Sequence, residues 1–101
     1  MSLQNASLTT STATAIYTSS GNNVISTIHI CNTTGVNAYA NIYMVPSTFT
    51  ANSTNQIYAD YYISPFNTLI TQEKFALGNG DMIFANANVA GISATISYIG
   101  I

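Results

Sequence analysis

Charge is what this chain has least of. Of its 101 residues one is Lys or Arg and three are Asp or Glu, 4% in all, where an ordinary soluble domain carries about 25%. The four are Asp60, Glu73, Lys74 and Asp81, so the stretch from Met1 to Ala59 has no formal side-chain charge apart from whatever His29 carries. With no Arg and a single Lys, counterion release from a phosphate backbone cannot drive association, which excludes nucleic acid and anionic membrane surfaces as partners. Cysteine is nearly missing too. Cys31 stands alone, so no intramolecular disulfide can form and the fold rests on burial. No apolar run approaches the roughly 20 residues that a membrane-spanning helix needs. Met1 to Ser20 lacks a basic segment followed by an apolar one, and no secretory signal is expected there.

Uncharged polarity takes the place of charge. The sequence contains 12 Asn, 14 Thr, 11 Ser and 3 Gln beside 48% hydrophobic residues, and a chain with that apolar share and little net charge is expected to fold. At this length it forms one domain. Its net charge of −2 gives little colloidal repulsion, so a homo-oligomer or a larger assembly is expected.

Short runs rich in Ile, Val, Tyr and Thr alternate with Gly, Asn, Pro and Ser clusters roughly every 8–12 residues, the spacing of an all-β sandwich or barrel. Strands are predicted at Thr12–Thr18, Val24–Cys31, Ala38–Val45, Gln56–Ile63, Thr68–Thr71, Met82–Ala87 and Ile92–Ile99. Residues 1–13, poor in large apolar side chains, read as an N-terminal arm or edge strand, and residues 14–101 as the sandwich. The expected fold is an antiparallel β-sandwich, Ig-like or jelly-roll-like, of seven to eight strands. Ile92, Ala94, Ile96 and Tyr98 alternate with Ser93, Thr95 and Ser97 as a half-buried strand should. On Ala38–Val45 both faces are partly apolar, leaving the buried side open.

Candidate chemistry is sparse. His29 and Cys31, two apart on a strand, share a face, yet zinc wants three or four ligands and only Asp60, Glu73 and Asp81 remain, at no recognisable spacing. No basic neighbour activates the thiol, so packing within the sheet is the simpler account of the pair. Asp81 follows Gly78-Asn79-Gly80, where a turn uses an Asp for its own backbone bonds. Neither a catalytic residue, a metal ligand set nor a cofactor site is assigned. Three Asn-X-Ser/Thr matches, at Asn5, Asn32 and Asn52, are about what chance gives in so Asn-, Ser- and Thr-rich a chain. Tyrosine stands out more. Tyr58, Tyr61 and Tyr62 crowd one predicted strand, too closely for simple alternation to hide all three, and are the candidate interaction surface, since tyrosines are favoured at protein and carbohydrate contacts.

The segments Ala13–Thr18, Ile25–Thr33, Asn41–Ser47, Asn55–Tyr58, Leu77–Ile83 and Ala94–Ile99, taken in order, resemble small β-sandwich structural proteins of tailed bacteriophages, including marine and cyanobacterial ones. The resemblance spans Ala13 to Ile101 and lies in strands and turns rather than catalytic motifs. It implies a non-enzymatic virion component present in many copies and bound to the major capsid protein or other virion proteins. Within that class a capsid decoration or cement protein is expected first, with a tail, neck or fibre component as the alternative. A rival of another kind is a glycan-binding module at a fibre tip, using Tyr58, Tyr61 or Tyr62 as a stacking platform.

Overall fold

The computed structural model describes residues Ser2–Ile101. Among these residues every regular element is a strand: β1 (Ser2–Ser7), β2 (Thr14–Thr18), β3 (Asn23–Asn32), β4 (Ala38–Val45), β5 (Gln56–Ile63), β6 (Thr68–Thr71), β7 (Phe75–Leu77), β8 (Met82–Ala87) and β9 (Ile92–Gly100). Helix is disfavoured because Thr, Ile, Val, Tyr and Asn fill the runs and the good surface helix formers are nearly missing.

The strands form two antiparallel sheets. One has the order β1-β9-β3-β6, with β7 also paired to β3, and the other β2-β8-β4-β5. Because β6 pairs with Ile28–Cys31 and β7 with Asn23–Ile25 of the same neighbour, the two are one edge strand interrupted at residues 72–74. Counted so, the first strand pairs with the last, the second with the next to last, and so inward to the β4–β5 hairpin. That nested winding is a jelly roll, which decides between the two sandwich types expected from the sequence. The nine strands against an expected seven to eight reflect the interrupted edge and β1, which pairs with β9 over its whole length from Ser2↔Tyr98 to Ser7↔Ser93. Leu8, just beyond it, is buried in the core.

Isoleucine fills the space between the sheets. Ile25, Ile28, Ile30, Ile42, Ile83, Ile92 and Ile96 are fully buried, with Ala38, Ala40, Ala85, Ala87 and Ala94 between them. Small alanines facing branched side chains let two sheets interdigitate at close range. Ile25 and Ile28 are three apart, so simple alternation would expose one of them. A register shift on β3 between Ile25 and Thr27 restores both to the inside. On β4 it is Ala38, Ala40 and Ile42 that face the core, leaving Tyr39, Asn41 and Tyr43 outward.

The buried polar side chains close the ends of the sandwich. Asn32 is 0% exposed. Its Nδ2 donates to the carbonyls of Val36, Ile63 and Ser64 at 2.7, 3.1 and 3.3 Å, while its Oδ1 accepts from the N–H and hydroxyl of Thr34 at 3.0 and 2.7 Å. One amide thus ties the end of β3 to the β3–β4 loop and to the end of β5. At the opposite end, Asn23 Nδ2 donates to Ser19 Oγ at 2.8 Å and to the Ser20 carbonyl at 3.1 Å.

Candidate functional site

Tyr58, Tyr61 and Tyr62 lie on β5, the edge of the second sheet, and two irregularities in that strand decide where each one goes. Ala40 pairs with Tyr61 and Ile42 with Tyr58, so Ala59 and Asp60 together stand opposite Asn41. The extra residue is accommodated by Asp60 at φ 47, a left-handed conformation that Asp tolerates better than most residues. Asn41 Oδ1 holds the bulge by accepting from the Asp60 N–H and from Gln56 Nε2, both at 2.8 Å. A second shift follows at Ile57.

The bulge reverses the usual parity. Tyr58 and Tyr61 sit opposite core-facing positions of β4 and form an edge-to-face pair with ring centroids 5.3 Å apart. Tyr58 packs on the core, whereas Tyr61 is 43% exposed at the open side of the sandwich. Tyr61 there borders a groove of about 280 Å³ between β5 and β6, lined also by Ser64, Asn67, Leu69 and Ile70. Tyr62 also borders this groove, but its ring turns to the outer face of the sheet. It pairs with Tyr39 at 5.6 Å, and its hydroxyl donates to Asn37 Oδ1 at 3.1 Å. The three tyrosines therefore do not make one platform; the outward aromatic surface is Tyr39 and Tyr62, 40% and 49% exposed. Tyr39 escaped the sequence reading because its pairing with Tyr62 depends on the β4–β5 register, although its place in the alternation on β4 was visible.

The remaining candidates stay apart. His29 and Cys31 lie on the outer face of β3, His29 exposed and Cys31 half-buried, beside Thr95 and Ser93 of β9 and Ile70 and Thr68 of β6. Among the described residues no three His, Cys, Asp or Glu side chains gather as a metal site would require. Asp60 and Asp81 flank β4 on opposite sides, one on β5 and one at the start of β8. Both carboxylate oxygens of Asp81 are engaged, Oδ1 accepting from the Ser47 N–H at 2.9 Å and Oδ2 from the Gly78 N–H at 2.8 Å. Asp81 is thus a turn anchor joining the β4–β5 and β7–β8 connections. Glu73 and Lys74 occupy the interruption between β6 and β7.

A larger groove of about 500 Å³ opens between β1 and β2 and is bordered by Gln4, Ile16, Tyr17, Asn23 and Tyr98. Tyr17 and Tyr98 stack there at a tilt, 4.7 Å between centroids. Burial pushes the Tyr17 phenol above its ordinary pKa, and Tyr98 adds to the rise while a hydrogen bond with Ser19 opposes it. Neither groove gathers an acid, a base and a nucleophile.

Comparisons of the chain with protein-family models, curated proteins and solved structures found no match.

Proposed function

We propose that the chain is a non-enzymatic structural protein of a bacteriophage virion, a capsid decoration or cement protein that stabilises the shell through β-rich contacts with the major capsid protein and with its own copies. The observation that carries this reading is the jelly-roll strand order on a chain with only four formal charges. Jelly rolls recur in viral coat proteins. A nearly uncharged surface also suits close contact with neighbours, because little charge has to be desolvated when it is covered. Many weak contacts on a repeating lattice reinforce one another through effective concentration, so no single deep site is needed.

The test is made on purified particles of the phage that encodes the chain. Mass spectrometry gives its copy number relative to the major shell protein, and a reconstruction gives its position. Many copies arrayed on the shell, retained when salt is raised to about 1 M because exposed charge pairs contribute little, are expected. A few copies at one vertex would move the protein to the neck, tail or fibre. Its absence from particles overturns the proposal.

One observation favours the glycan-binding alternative: the exposed Tyr39–Tyr62 pair with the Asn37 side chain beside it. Jelly rolls also host lectins, and aromatic faces with neighbouring amides suit sugar rings. Glycan titration of the wild type and of Tyr62→Ala separates the two, since only a glycan reader loses binding when the ring is removed.

A further inference from the structure

The sandwich has four sheet edges, and three are spoiled for pairing with another strand. β5 carries two bulges and Asp60. The β6/β7 edge is broken into pieces of four and three residues by a gap containing Glu73 and Lys74. β2 has five residues and is bulged between Ala15 and Tyr17. Bulges, short lengths and charges are the devices by which sheet edges avoid accidental extension. β1 has none of these: six residues, unbroken register, no proline and no charge.

The polarity of that edge can be worked out. Immediately after the Ser7↔Ser93 pair, Leu8 donates its N–H to the Ile92 carbonyl at 2.9 Å. Antiparallel ladders alternate bonded and non-bonded pairs, so Gln4 and Ala6 spend their backbone groups on β9, while Leu3, Asn5 and Ser7 direct theirs away from the sheet. These three residues also place their side chains on the outer face, where Asn5 Oδ1 accepts from Thr95 Oγ1 at 3.0 Å and Leu3 is 68% exposed.

We propose that this edge is the contact between two copies of the chain, β1 pairing antiparallel with β1 of the second copy about a two-fold axis through Asn5. The occupant follows from symmetry. An antiparallel pair of identical strands is self-complementary, and a two-fold axis normal to the sheet keeps inner faces inner and outer faces outer. With Asn5 opposite Asn5, Leu3 falls opposite Ser7, and all three outward positions of each copy bond, giving six backbone hydrogen bonds and one sheet running through both sandwiches. No charge on either strand opposes the approach. The seam needs no virion and stands apart from the function proposed above: a dimer in a protein absent from particles leaves it intact, and a particle-bound monomer overturns it.

Light scattering after gel filtration, over a range of concentrations, reads the state directly. The wild type is expected at twice the 10.7 kDa protomer mass, and Asn5→Ala, which keeps the backbone N–H, at the same mass. Asn5→Pro removes the N–H that points away from β9 and leaves the bonds within the sheet in place. Its dissociation constant should rise about thirtyfold or more, the effect of two lost backbone bonds at the axis. Amide hydrogen exchange on the wild type gives a readout that needs no variant. The Leu3, Asn5 and Ser7 amides are expected to be protected at high concentration and to lose protection on dilution, while Gln4 and Ala6 stay protected throughout. A wild type that stays monomeric overturns the proposal and leaves the edge for a strand of a different protein. An Asn5→Pro variant as dimeric as the wild type, or exchange at the three amides that ignores concentration, overturns it as well.

Discussion

Replacing Asn32 should cost more stability than any other polar substitution in the chain. In Asn32→Ala the buried carbonyl of Ile63, which pairs with Ala38 in the β4–β5 ladder, loses the Asn32 amide as its second donor, at about 1–1.5 kcal/mol. Val36 and Thr34 lie nearer solvent, so water replaces part of what they lose, at about 0.5–1 kcal/mol each. Together these give roughly 2–3 kcal/mol, which in a domain of this size lowers the melting temperature by about 10 °C or more. Asn32→Asp sharpens the test. It keeps the Oδ1 acceptor but turns the donor into a second oxygen facing the carbonyls of Val36, Ile63 and Ser64. Burial among carbonyls favours the neutral acid and raises its folded pKa. The penalty should therefore be smallest below about pH 4, where the carboxyl is protonated in both states, and grow as pH rises toward the raised folded value. Urea denaturation followed by circular dichroism at several pH values measures both effects. An Asn32→Ala variant within about 1 kcal/mol of wild type would mean that the amide is not the clamp its five bonds imply.

Two further predictions concern local geometry and alkaline pH. A Cβ added at Gly91, at φ +89, would lie 2.5 Å from Thr34 Cγ2, whereas one at Gly21, at φ +74, meets nothing within 4 Å; Gly91→Ala should cost about 2–3 kcal/mol and Gly21→Ala about 1, and equal losses in chemical denaturation would contradict the close approach of Thr34. The Tyr17 phenol, raised by burial, contributes stability that is complete below about pH 10 and lost as pH rises through its folded value, so Tyr17→Phe should lessen the fall in melting temperature between about pH 9 and 11, and an unchanged fall would refute the assignment.

Much of the fold was legible because the runs are short and separated by strong breakers. Pro46, Pro65 and the Gly78–Asp81 turn stop strands where local chemistry says they must. β7 was not legible: Phe75 and Leu77 form a strand only because Val24 lies opposite Ala76 on β3, a partner far away in the chain. The sheet order was equally hidden, since the β4–β5 hairpin is joined by the long loop 46–55 while the connections that cross between the sheets take only four to six residues. At the tyrosine cluster the sequence identified the residues but not their directions. A one-residue bulge reverses the parity of everything beyond it, and the cause of this one, the Asn41 amide serving Asp60, sits on the neighbouring strand.

The scarcity of charge gains meaning from where the four charges sit. Asp81 is consumed in a turn, while Asp60 marks the β5 edge and Glu73 and Lys74 the break in the β6/β7 edge. Charge has been kept where an unpaired edge would otherwise recruit strands without control, and left out of β1. If so, Asp60→Asn combined with Glu73→Gln and Lys74→Gln removes the protection while deleting no buried contact. Thermal stability should change by less than about 1 kcal/mol, because the three groups lie on surface loops and edges. Self-association should change much more: concentration-dependent light scattering is expected to pass from a discrete dimer to open-ended oligomers, since two newly unguarded edges on different sheets generate contacts that do not close. A triple variant that remains a discrete dimer at the highest concentration reached would show that the bulges alone guard those edges.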